Sequence, residues 1–142
     1  MATQTFYSNG KLLLTGEYVV LDGAEALAVP TRFGQNLTIK QGVAQELKWT
    51  SFDADKSIWF QDILTFSEIK NKDVSEKNDA VKNTLIEILH QASLQNPTIL
   101  NEHGYEIETH LTFPRNWGLG TSSTLINNIA QWFQIDAFEL LN

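Results

Sequence analysis

The chain has 142 residues, enough for one domain with a sizeable core, and its 42% hydrophobic and 19% charged residues are ordinary for a globular protein. The formal net charge of −7 excludes a broad basic field for nucleic acid or anionic membrane, so any bound phosphate must be held by local donors. The lack of cysteine excludes disulfides, zinc–thiolate sites and cysteine nucleophiles, and it fits a cytoplasmic protein. The opening "MATQTFYSNGK" has neither the basic start nor the apolar stretch of a signal peptide, and no apolar run is long enough to cross a bilayer.

The first part of the chain reads as strands. "TQTFYS" and "KLLLTGEYVVL" flank Asn9-Gly10, the dipeptide best suited to a tight hairpin. "QNLTIKQG", "QELKWTSFD" and "SIWFQDILTF" then read as short antiparallel strands. A helix follows in "DAVKNTLIEILHQASL", where Val81, Leu85, Ile88, Leu89 and Ala92 form an apolar stripe and Pro97 lies just past the end. The segment "GYEIETHLTF" alternates strictly, with Tyr105, Ile107, Thr109, Leu111 and Phe113 on one face, and Pro114 ends it. From Ser122 the period becomes helical, with Leu125, Ile126, Ile129, Ala130 and Phe133 on one side. Asp136 and Glu139 are spaced as a variant capping box, but fewer than two turns remain before Asn142. The expectation is a chain cut short, in which Phe138, Leu140 and Leu141 need a covering surface that a second copy could supply as a homodimer.

The junction from Gly118 to Thr124 carries the chemistry. A strand, then two glycines, then the start of a helix places unpartnered N–H groups and the positive end of a helix dipole where the backbone can curl around an anion. Phosphate is the usual guest, and a hydroxyl in the first turn can reach a metal ion that the phosphates carry. The plainer alternative is a capped helix after a turn, with Thr121 or Ser122 as the cap, contributing about 1 kcal/mol. Against it, Gly118 and Gly120 cost roughly 0.5–1 kcal/mol each wherever they are not conformationally required. The hydroxyls beyond the cap are also surplus to stability. Thr124 reads as no more than the start of the helix. The junction is not a Walker loop, because no lysine follows Gly120. His90, His103 and His110 fall at no ligand spacing, and the four tryptophans read as packing residues, with Trp117 placed to line a nucleotide site.

"PRNWGLGTSST" resembles the phosphate-binding motif of the GHMP small-molecule kinases, commonly Pro-x-x-x-Gly-Leu-Gly-Ser-Ser-Ala. Pro114, Gly118, Leu119, Gly120 and Ser122 match, Thr121 replaces the first serine and Ser123 the alanine. "SNGKLLLTGEYVVLDG" resembles the family's N-terminal motif through Gly10, Lys11, Gly16, Glu17 and Gly23, with Gly-Glu-Tyr in the style of the mevalonate and phosphomevalonate branch. Asn9 stands where the family usually has proline.

The resemblance implies an α+β domain like ribosomal protein S5 domain 2 over residues 1–142, the N-terminal part of a kinase truncated before a ferredoxin-like C-terminal domain. It implies transfer of the γ-phosphoryl of ATP, with Mg²⁺, to a small-molecule acceptor. Gly118, Leu119, Gly120, Thr121, Ser122 and Ser123 would form the ATP-phosphate cradle, and Ser122 would contact the metal. Lys11 would sit by the transferred phosphoryl, and Glu17 would support the loop or the acceptor pocket. The family's aspartate base, its Mg²⁺-binding glutamate and its third motif lie beyond this helix, so this chain alone is expected to be inactive. A rival reading keeps the cradle but transfers nothing, as a non-catalytic nucleotide- or anion-binding protein.

Overall fold

A computed structural model describes residues 3–14, 27–75, 77, 79–101, 103–114 and 121–137, with backbone alone at 10–14, 27–32 and 121–123. Among the described residues five strands, β1 (Gln4–Leu14), β2 (Leu27–Gly42), β3 (Glu46–Phe52), β4 (Ile58–Thr65) and β5 (Gly104–Leu111), form one sheet in the order β1-β2-β5-β3-β4. The helices described, α1 (Phe66–Lys70), α2 (Ala80–Gln95) and α3 (Thr121–Phe133), make the architecture mixed α+β. No helix among the described residues is long and apolar enough to cross a membrane.

The alternation read in β5 is what makes it the central strand. Ile107 and Thr109 are buried, and the ladder continues their rows into Leu37 and Ile39 of β2 and into Trp49 and Ser51 of β3. Glu106 and His110 point to the other face, where His110 stacks on Phe52 of β3 with ring centroids 4.5 Å apart. α2 covers β4 and α3 covers β1 and β2, and the two helices also meet. The stripe read on α2 is buried at Leu85, Ile88, Leu89 and Ala92, joined by Ile86. Ile129, Ala130, Trp132 and Phe133 of α3 enter the same core. The side-chain amide of Asn96, at the end of α2, donates to the Phe133 carbonyl at 2.7 Å and ties the two helix ends together.

Three expectations are corrected. Asn9-Gly10 is not a hairpin turn. Asn9 pairs with Gly34 and Lys11 with Pro30, so β1 runs straight through and the dipeptide marks an irregularity in its ladder with β2. A hairpin needs the two flanking segments to pair with each other, whereas here the long β2 partners both. Pro30 is tolerated because residues 27–34 of β2 pair with β1 on one side and with no described strand on the other.

The second correction concerns pairing. β3 is antiparallel to β4 but parallel to β5, and β5 inserts between β2 and β3. The connection that carries α1 and α2 supplies the crossover that a parallel pair needs. Third, the strand read through Phe66 stops at Thr65. The Thr65 hydroxyl accepts from the Glu68 N–H and the Glu68 carboxylate accepts from the Thr65 N–H, both at 3.1 Å, a capping box that starts α1. The element expected from Asp136 to Asn142 lies almost wholly outside the described residues; Ala137 still packs against the core.

Candidate phosphate-binding site

The strand read through Phe113 ends two residues earlier, at Leu111, and the helix read from Ser122 begins one residue earlier, at Thr121, directly after Gly120. Thr121, Ser122 and Ser123 are therefore the first residues of the helix, where backbone N–H groups have no partner within the helix and the dipole is positive. That donor set suits a phosphate. Lys11 lies in β1 opposite Pro30, three positions beyond Ser8 and so about 10 Å along the strand. Glu17, Gly118, Leu119, Gly120 and Trp117 lie outside the described residues.

α3 packs on β1, the strand that carries Lys11. A polar row runs beside the apolar stripe of α3. Thr124, Asn128 and Gln131 recur at i, i+4 and i+7; Thr124 and Asn128 are buried against the sheet, and Gln131 lies at its exposed margin. The Gln35 side-chain amide of β2 donates to the Thr124 hydroxyl at 2.8 Å. Asn128 donates to the Gln35 carbonyl at 2.8 Å and accepts from the Ser8 hydroxyl of β1 at 2.7 Å. Gln131 reaches Ser8 at 3.5 Å. Gln35, Thr124 and Asn128 are each at most 1% exposed.

Thr124 is thus a buried anchor and not merely the start of a helix, which corrects the sequence reading. The missed signal was legible as three polar residues at helical spacing beside the apolar stripe. Outside this junction an open groove of about 420 Å³ runs between β1 and the second half of α3, lined by Tyr7, Asn9, Asn127, Gln131 and Ile135 among others.

The remaining expectations of the residue survey can be placed. Trp49 is fully buried and its ring N–H donates to Ser51 at 3.2 Å, a packing role. His90 bonds the Ile69 carbonyl at 2.9 Å. Among the described residues no group of three or more His, Asp or Glu side chains converges as a metal site.

The fold has close counterparts among solved structures. Over 95% of its length the chain superposes on Methanococcus jannaschii mevalonate kinase, with a TM-score of 0.69 and 18% identity. The fold is that of the GHMP kinases. A second mevalonate kinase structure matches 94% of the chain with a TM-score of 0.67, and Lactococcus lactis galactokinase complexed with galactose matches 97% with a TM-score of 0.64, both at 18% identity. The chain spans about two fifths of the length of these kinases, covering 42%, 41% and 35% of them. No protein-family model matches the sequence, and no curated protein does.

Proposed function

We propose that this chain is the N-terminal, ATP-phosphate-binding domain of a GHMP-type kinase, similar to ribosomal protein S5 domain 2. The observation that carries the reading is the start of α3 at Thr121, directly after Gly120, within a fold shared with mevalonate kinase and galactokinase. ATP with Mg²⁺ supplies the phosphoryl group when bound. Gly118, Leu119, Gly120, Thr121, Ser122 and Ser123 would hold its phosphates through backbone N–H groups, and the Ser122 hydroxyl would contact the metal. Lys11 would stabilise charge on the transferred group, and Glu17 would support the loop or the acceptor pocket. Such transfer rests mainly on positioning and on preorganised charge, which suits a cradle built from backbone. A ferredoxin-like C-terminal domain completes the cleft and the catalytic set in the full-length, cytoplasmic protein. The acceptor is a small hydroxylated or phosphorylated metabolite of the mevalonate or phosphomevalonate type.

The test is ADP release by the full-length protein against a panel of such metabolites. Lys11→Met and Ser122→Ala are each expected to lower turnover by about 100-fold or more, with unfolding temperature unchanged. Equal turnover in wild type and both variants refutes the site assignment. MgATP binding without ADP release on any acceptor returns the non-catalytic reading.

A further inference from the structure

The two sides of the candidate phosphate segment are fastened to neighbouring residues of β2, one to Gly34 and the other to Gln35. On the β5 side, the Gly34 N–H donates to the Thr112 hydroxyl at 2.7 Å, and the Thr112 N–H donates to the Gly34 carbonyl at 2.9 Å. On the helix side, Gln35 donates to Thr124 at 2.8 Å while its own carbonyl accepts from Asn128 at 2.8 Å. Thr112 and Thr124, on either side of the segment, are therefore held at adjacent points of β2. Gly34 also packs closely on β1, where a Cβ would clash with the Ser8 carbonyl oxygen and lie 2.8 Å from the Tyr7 ring.

We infer that Gln35 is a positioning residue that sets the angular register of α3 and hence the aim of its first N–H groups at phosphate. One hydrogen bond in the first turn and another one turn later fix both the rotation and the height of the helix on the sheet, since residues four apart share a face. Gln35 supplies both, one from its side chain and one from its backbone. An apolar contact is non-directional and would let the helix rotate or slide at little cost. A buried hydrogen bond would not, because misalignment leaves its donor unsatisfied. The inference rests on residues 118–123 being the phosphate-binding segment. Preorganised donors of that kind gain affinity by avoiding the cost of ordering at the moment of binding.

The experiment measures MgATP affinity of the full-length protein by calorimetry, and amide exchange in peptides covering 112–124. Gln35→Leu removes the side-chain donor, Thr124→Val removes its acceptor at similar volume, and Thr124→Ser restores the hydroxyl. Gln35→Leu and Thr124→Val are each expected to weaken MgATP about tenfold, the double variant no more than either, and Thr124→Ser about as little as wild type. Exchange should rise within 112–124 and not elsewhere. Variants that bind MgATP as tightly as wild type overturn the inference, as does faster exchange spread evenly over the chain, which would mark a stability role only. A wild-type protein that binds no MgATP overturns the phosphate reading itself, and this inference with it.

Discussion

Asn128 joins α3, β1 and β2 at one point. It is 0% exposed, accepts from the Ser8 hydroxyl and donates to the Gln35 carbonyl. A buried amide of this kind contributes little net stability while its bonds are made, but leaving its partners unsatisfied costs about 1–3 kcal/mol per group. Asn128→Ala is therefore expected to lower unfolding free energy by roughly 2–4 kcal/mol in urea titration. Asn128→Leu is expected to do no better, because filling the volume leaves Ser8 and the Gln35 carbonyl without this partner. At this scale the sequence was most legible where one residue type has one main use. Gly118, Gly120 and the hydroxyls after them carry the proposal of an anion site by their chemistry alone. Gln35 and Ser8 announce nothing, since a polar residue in a strand is ordinarily solvated and only the arrival of α3 buries these two.

Elements with strong internal signals were readable, and short ones were not. α2 and β5 show clear periodicity, and both form as expected. α1 has only five residues, too few for a hydrophobic period, and its capping box is the single local sign of it. That box also gives α1 a pH dependence. Burial pushes the Glu68 carboxyl up, but the N–H of Thr65 and the Lys82 ammonium, 3.1 Å away, outweigh it and hold the group below its ordinary value. A carboxyl with a depressed folded pKa stabilises the fold at pH above the ordinary value of 4.5 and loses that contribution as pH falls through the folded value. Thermal unfolding from pH 6 downward should therefore show a shallower acid loss for Glu68→Gln than for wild type, together with a lower stability near neutrality. Parallel acid limbs would refute the assignment.

The sheet as a whole depends on a strand that arrives late. β5 enters between β2 and β3, pairing antiparallel with one and parallel with the other, and it carries fully buried Ile107 into the middle of the core. Among the described strands β1 and β4 are the edges. Amides of β5 and its flanking partners are expected to be the slowest to exchange, with β1 and β4 faster, because edge strands open without breaking the core. Ile107→Ala should cost about 2–5 kcal/mol in denaturant unfolding, the usual cost of a cavity at a fully buried site. A loss below about 1 kcal/mol would mean that β5 is not the central strand.

Composition, periodicity and two spaced motifs were enough to determine the α+β class, most of the strands, the helix after residue 79 and the helix that starts at Thr121. These are local properties, written in residue types and in spacings of two or of three to four. Tertiary structure alone decided that Asn9-Gly10 interrupts a ladder instead of turning a hairpin, that β5 lies inside the sheet, and that Gly34 and Gln35 hold both ends of the junction. Each of those outcomes depends on which distant segment lies alongside, and a backbone donor or a polar side chain carries no mark of its partner until packing excludes water from around it.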